Sequence, residues 1–307
     1  MPLPSSRPPP GGHGPRGAAV LRHRKRTRAT LAASALPALL ILISTVFERA
    51  PARGAPAAEN GTCTLAREQR HQAVRVLDGE TFAIEDGREV RLIGALVPEP
   101  PEGVTAEEWI PSREAKAALT SLIEGRNVEL ALPGRKTDRY GRLLAHVFVP
   151  GEGEPIWVQG HMLRHGAARA YAIPGSSACL AALLAAEAAA RDSRSGLWSH
   201  ATYAVRPAAD VRALSRQRGR FAVVDGEVMA TAERGGRLYI NFGADWRRDF
   251  TIIVPSRVIR AFPDAALRLR EIKGARLRVR GWIDRRNGPS IEVSDAGEIE
   301  ILEHPPH

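Results

Sequence analysis

From Gln72 onward, short apolar runs broken by polar turns set a β rhythm. "AVRVLDG" leads into a turn, and "ETFAIEDGREVRLIGAL" reads as a hairpin about Asp86-Gly87 with arms rich in strand formers. Then the period changes. In "TAEEWIPSREAKAALTSLIEG", Ala115, Leu119, Leu122 and Ile123 recur at helical spacing, with Gly125 as the stop. "NVELALPG" and "GRLLAHVFVPG" return to strands joined by the polar loop "RKTDRY". "IWVQGHMLRHGAA" predicts a short helix ended by Gly166. "SACLAALLAAEAAARDSRSGLW" predicts a longer one capped by Ser176 or Ser177, anchored by Leu180, Leu183, Leu184 and Trp198, with Gly196 past its end. Strands first and helices after them imply a small β-barrel with packed helices over residues 71–200, behind an N-terminal extension at 59–70.

Residues 201–218 are polar and lack a clean stripe, as a linker would. Beyond them "RFAVVDGEVMATAERGGRLYINFG", "DFTIIVP" and "ARLRVRGWIDRRNGPSIEVS" are strands separated by turns, with a hairpin tip at Asn287-Gly288. "IRAFPDAALRLREIKG" has room for a short helix. The expectation for 219–307 is a second, mainly β unit resembling a five-stranded OB-type barrel. The chain as a whole then reads as mainly β with α.

The first 58 residues follow neither rhythm. A basic segment ending "LRHRKRTR" precedes 19 uncharged residues, Ala29 to Phe47, and a small-residue stretch near "GAPAA". This is the pattern of an export signal. An uncleaved membrane anchor through residues 29–47 fits the same length. Either way the expected location is periplasmic or extracellular, tethered to the inner membrane if the anchor stays. The leader also explains the charge. Residues 1–58 carry 9 basic side chains against one acidic, so most of the net +10 lies there. Residues 59–204 hold 16 basic and 19 acidic side chains, and residues 205–307 hold 19 and 14. Long-range attraction for a polyanion therefore belongs to the C-terminal part. The first barrel would need a few placed arginines. Cys63 and Cys179, the two cysteines of the chain, suit one disulfide in an oxidising compartment, or two free thiols.

Three stretches carry candidate chemistry: "VLDGETF" (76–82), "RLIGALVPE" (91–99) and "KTDRYGRLLA" (136–145). Their order and spacing, with a last helix ending "GLWS", resemble the staphylococcal nuclease (thermonuclease) family over about residues 70–200. That resemblance implies a barrel that hydrolyses DNA and RNA with Ca2+. It makes Arg91 and Arg142 the phosphate clamp, Glu99 the general base on water, and Asp138 the loop aspartate. Glu80 takes the place of the first metal-binding aspartate, with Asp78 two residues earlier. The physics is consistent. A guanidinium meets two oxygens of a phosphoryl group with paired hydrogen bonds, and a carboxylate takes a proton from attacking water. The prolines flanking Glu99 restrict its backbone. One part is missing: where the family places a second metal-binding aspartate stands Leu96, followed by Val97. A cation there would lean on water and on the Val97 carbonyl.

His161 and His165 stand four apart without the glutamate of a metallohydrolase helix, and read as packing or surface residues. In the C-terminal unit Tyr239, Phe242, Trp246 and Phe250 alternate with basic residues. Arg247, Arg248, Arg285 and Arg286 are candidate contacts to a nucleic-acid backbone. The expected function is an exported, calcium-using nuclease with a degraded metal site. The alternatives are a catalytically weak or inactive nucleic-acid-binding module and an envelope scaffold.

Overall fold

A computed structural model describes residues 63–173 and 176–304. The leader and the expected signal or anchor at 29–47 lie outside these residues. Among the described residues no helix is long and apolar enough to cross a membrane.

The first barrel opens with β1 (Gln69–Val76), β2 (Thr81–Ile84) and β3 (Glu89–Leu92), followed by the two-residue β4 (Ala95–Leu96) and helix α1 (Ile110–Ile123). Next come β5 (Asn127–Ala131), β6 (Leu143–Val149), β7 (Ile156–Trp157), α2 (Val158–Arg164), β8 (Arg169–Ala170) and α3 (Leu180–Asp192). Sheet order is β3-β2-β1-β5-β6-β7, and β3 also pairs with β6 in parallel, which closes five strands into a ring. Helix α1 forms because Ala115, Leu119, Leu122 and Ile123 make one apolar stripe, all buried against the barrel, while Pro111 sits in the first turn where no intrahelical donor is needed.

Helix α3 starts differently from the expected serine cap. Its N-cap is Cys179 in the left-handed region (φ 64°), bonded to Cys63 across 116 residues, and Ser176 instead donates to the Pro133 carbonyl. The disulfide sets the backbone where a serine oxygen was expected to. Ser193 is the C-cap, and Gly196 lies past the end of the helix as expected. Gly196 lies flat against Gly166, where an added Cβ would fall 2.4 Å from the Gly166 carbonyl oxygen.

The stretch 201–218, expected as a linker, is folded. Strand β9 (Arg206–Pro207) pairs in parallel with β10, and helix α4 (Val211–Arg216) is capped by the Asp210 side chain and buries Ala213 and Leu214. The second unit continues with β10 (Phe221–Glu227), β11 (Ala230–Arg234), β12 (Arg237–Asn241), β13 (Thr251–Val254), α5 (Ser256–Ala261) and α6 (Pro263–Arg270). It ends with β14 (Arg276–Trp282), β15 (Asp284–Arg286), β16 (Gly288–Glu292) and β17 (Ile299–Glu303). It is mainly β and OB-like. Its ladders form two sheets, β17-β14-β10-β9 and β11-β12-β13-β16-β15, that enclose one core including Leu238, Ile240, Phe250, Ile252, Leu277 and Ile291.

The two halves share a third apolar cluster. Leu96, Tyr171, Ala190, Leu197 and Trp198 of the first pack with Tyr203, Phe221 and Val223 beyond it. A buried ion pair crosses the same junction. Arg280 of β14 donates to Glu187 of α3 at 2.9 Å and to the Ala170 carbonyl at 3.2 Å, and Glu187 accepts from the Ala170 N–H at 2.6 Å.

Candidate active site

Glu80 ends the tight turn between β1 and β2, held by its own N–H on Asp78 Oδ1 (2.8 Å) and by its carbonyl, which accepts from Leu92. Arg91 stands opposite Thr81 in the β2–β3 ladder and beside Leu144 of β6. Strand geometry thus brings Glu80 and Arg91 together, and their side chains pair at 2.8 Å. Arg142 enters from the "KTDRYGR" loop. There Asp138 accepts from the backbone N–H groups of Tyr140 and Arg142 and binds the Arg142 guanidinium through Nε (2.8 Å) and a terminal nitrogen (2.7 Å). The second terminal nitrogen of Arg142 reaches Thr81 Oγ1 at 3.4 Å. Asp138 is therefore the organiser of the loop and the partner of Arg142.

Glu80, Arg91, Asp138 and Arg142 form one cluster, and side-chain exposures of 13–25% leave it open to solvent on one side. Its electrostatics are uneven. Burial, with help from Asp78, raises the Glu80 carboxyl to about 7, against the pull of Arg91, the Val97 N–H and Arg142. Desolvation wins because one oxygen, Oε2, is buried with no hydrogen-bond partner among the described residues. Burial lowers the Arg91 guanidinium, but Glu80, Tyr171 and Asp138 outweigh it and raise its pKa.

Tyr171 is the residue that pattern reading missed. It follows β8, its N–H donates to the Gly94 carbonyl, and its hydroxyl interacts with Arg91. Burial first, then Glu80, push its pKa up to about 12, so it stays a neutral donor. Gly94 also lets α3 pack close. It sits at φ 81°, and a Cβ there would lie 2.3 Å from Leu183. Trp282 of the second unit meets the Tyr171 ring edge-on at 6.1 Å. A lone aromatic after a two-residue strand gave no periodic signal.

Glu99 stands outside this hydrogen-bonded cluster. Its carboxylate is exposed and forms no ion pair among the described residues. Its backbone, by contrast, is pinned: the Glu99 carbonyl accepts from Tyr203 Oη (3.0 Å), Tyr203 accepts from Trp109 Nε1 (2.8 Å), and Ser112 Oγ donates to the Pro98 carbonyl (2.6 Å). Leu96, at the place of the missing aspartate, is 3% exposed in the inter-barrel cluster. Val97, expected to offer a carbonyl to a metal, lies close enough for its backbone N–H to lower the Glu80 pKa.

The donor set fits a divalent cation that keeps most of its ligands as water. Glu80 Oε2 is an orphaned anionic oxygen, and Asp78 lies beside it. Elsewhere Cys63, Cys179 and His146 bring possible ligand atoms within 4.8 Å. The two sulfurs are bonded to each other, while His146 donates through Nε2 to Ala178 and accepts at Nδ1 from Trp157, so no free lone pair remains there. His161 and His165 stack at 4.1 Å, with His165 Nδ1 on the His161 carbonyl.

The four C-terminal arginines come together in part. Arg247, Arg248 and Arg285 line one cleft, and Arg286 lines its neighbour beside Trp246.

Comparison with known proteins gives a consistent set of similarities. The family model described as staphylococcal nuclease homologue matches residues 89–200. An uncharacterized endonuclease of Escherichia coli O157:H7 is 32% identical over 133 residues, covering 42% of this chain and 77% of that protein. The thermonuclease of Staphylococcus hyicus is 32% identical over 90 residues, covering 28% of this chain and 53% of its own.

Proposed function

The chain belongs to the staphylococcal nuclease homologue family, and from that premise we propose that it is an exported phosphodiester hydrolase acting on DNA or RNA. The reading rests on one observation: two arginines and a carboxylate with an unpartnered oxygen meet in a single partly exposed cluster on the first barrel. Arg91 and Arg142 are the groups that receive the phosphate. An entering phosphate competes with Glu80 and Asp138 for them, so both guanidinium groups are pre-oriented by anions of similar geometry. Charge that develops on the phosphoryl oxygens then meets two fixed cations and the Tyr171 hydroxyl, which favours the transition state over the ground state. Glu99, on a loop whose backbone is pinned, takes the proton from water. Glu80 and Asp78 would hold Ca2+, which when bound supplies Lewis-acid polarisation of a phosphate oxygen. The export signal and the disulfide are consistent with a calcium-rich, oxidising compartment.

A second reading draws on Leu96. With that side chain committed to the inter-barrel core, the hollow lacks an anionic ligand, and the clamp would hold phosphate-bearing polymers without turnover. Cleavage of DNA and RNA, measured with Ca2+ and with chelator, separates the two. Hydrolysis should need the metal and fall about 100-fold or more in Glu99→Gln with binding retained. Binding with no turnover in any divalent metal would establish the second reading instead.

A further inference from the structure

The second unit carries a surface that hydrolysis at the first barrel does not use. On the outer face of the β11-β12-β13-β16-β15 sheet, Ala232, Tyr239 and Ile253 stand in one register row, with Asn241 opposite Thr251 in the next. Leu238, Ile240, Ile252 and Val254 point the other way, into the core. Trp246, 46% exposed, stands beside this outer face, and together they line a cleft of about 400 Å3 that also takes in Arg234 and Arg286. A second cleft of about 610 Å3 is lined by Arg218, Arg247, Arg248 and Arg285, with Asp284 as its one carboxylate. Asn287, in the left-handed region at φ 70°, lines both.

The join between the clefts is built, not incidental. An added Cβ at Gly288 would sit 2.3 Å from the Arg248 carbonyl oxygen and 2.4 Å from that of Asp249, so only glycine lets the hairpin tip and the 245–249 loop touch. Across this join the Arg247 guanidinium lies 4.4 Å over the Trp246 ring. The positive charge is free to act. Arg247 and Arg285 have no ion pair among the described residues, while Arg218, Arg248 and Arg286 reach carboxylates only at 3.6–3.9 Å on the exposed surface. Such pairs are weak and yield to a phosphate.

We propose that this double cleft binds single-stranded nucleic acid, with bases against Trp246 and Tyr239 and the sugar-phosphate backbone along Arg247, Arg248 and Arg285. Aromatic faces beside a run of unpaired or weakly paired arginines match a chain that alternates flat π surfaces with anions. A duplex keeps its bases stacked inside and offers the rings nothing. An acidic peptide or polysulfate satisfies the arginines but leaves the aromatic cleft empty. The proposal concerns binding alone and holds whether or not the first barrel cleaves.

Binding of a fluorescent oligothymidylate of ~20 nucleotides, followed by anisotropy across a salt series with chelator present, tests it. Trp246→Ala should weaken binding by about 5- to 150-fold with the salt dependence unchanged. Replacing Arg247, Arg248 and Arg285 together by alanine should weaken binding and make the log–log salt slope shallower by about 2, at roughly 0.7 for each phosphate no longer neutralised. These side chains are exposed, so the core that folds the unit is untouched. Affinity and slope that stay at the wild-type values in both variants would overturn the proposal. So would a matched duplex that binds as tightly and responds equally to Trp246→Ala. A shallower slope in the triple variant with no effect of Trp246→Ala would also overturn it, leaving a general polyanion surface.

Discussion

Glu80 and Glu187 are both carboxylates paired with an arginine in this fold, and they could hardly be treated more differently. Glu187 is fully buried, yet its two oxygens accept from Arg280, from the Ala170 N–H and from Arg191. Glu80 is less buried, yet only one of its oxygens is used, by Arg91, and the other has no partner among the described residues. The first arrangement spends a costly desolvation on a network that satisfies both Glu187 oxygens, although Arg280 Nε and Arg191 Nε find no hydrogen-bond partner among the described residues, and it fixes α3, β8 and β14 to each other. The second leaves an unsatisfied oxygen and a carboxyl raised to about 7 beside two arginines. A carboxylate with both oxygens satisfied builds the junction, whereas the one with an orphaned oxygen stands in the cluster proposed to take a ligand.

Breaking the junction network should have the largest effect. Arg280→Ala leaves Glu187 buried with too few donors, and the expected loss is about 3–5 kcal/mol of stability, read from urea unfolding. Replacing both Arg280 and Glu187 by apolar residues of similar size should cost less than Arg280→Ala, because the fully buried carboxylate is gone and the partners left behind, Arg191 and Glu300, both reach solvent. If the double replacement is as damaging as the single, the junction depends on something other than paired charge. Arg91→Ala should show the opposite profile. Unfolding should change little, while cleavage should fall about 100- to 1,000-fold, the scale for removing one donor to a charged transition state. An Arg91→Ala protein that unfolds early but cleaves normally would reverse the assignment of roles.

What the sequence made legible follows the same divide. Glu80, Arg91, Asp138 and Arg142 stand in short stretches whose turn and strand chemistry is local, and it was the resemblance of those stretches to the staphylococcal nuclease family that implied they meet. The α1 stripe is visible for the same reason. Tyr171 is not, because a single aromatic after a two-residue strand has no period. The pairing of Arg280 with Glu187 spans 93 residues, and no local pattern connects them. Strand β9 looks like linker in the sequence because parallel pairing with Val224 and Asp225 uses backbone groups, which leave no trace in side-chain character. Leu96 stands out in the sequence as a missing ligand, but its cluster also takes in Tyr203, Phe221 and Val223, more than 100 residues away, and no local pattern connects them.

The smallest effect sharpens the comparison through pH. His146 is buried and held neutral, its pKa lowered to about 4, chiefly by burial. Below about 6.5 the unfolded chain takes up a proton that the folded chain refuses, so stability from this group is lost as pH falls through that window. Glu80 has the reverse sign. Its folded value is raised above the usual carboxylate range, so between about 4.5 and 7 the folded chain holds the proton more tightly, and stability from this group grows as pH falls. From pH 7.5 to 5 each contributes about 2 kcal/mol, in opposite directions. Each variant should therefore expose the other group. In chelator, His146→Gln, which can keep both hydrogen bonds, should gain stability relative to wild type as pH drops, and Glu80→Gln should lose it. Parallel stability–pH curves for wild type and both variants would mean that neither group is held away from its ordinary protonation.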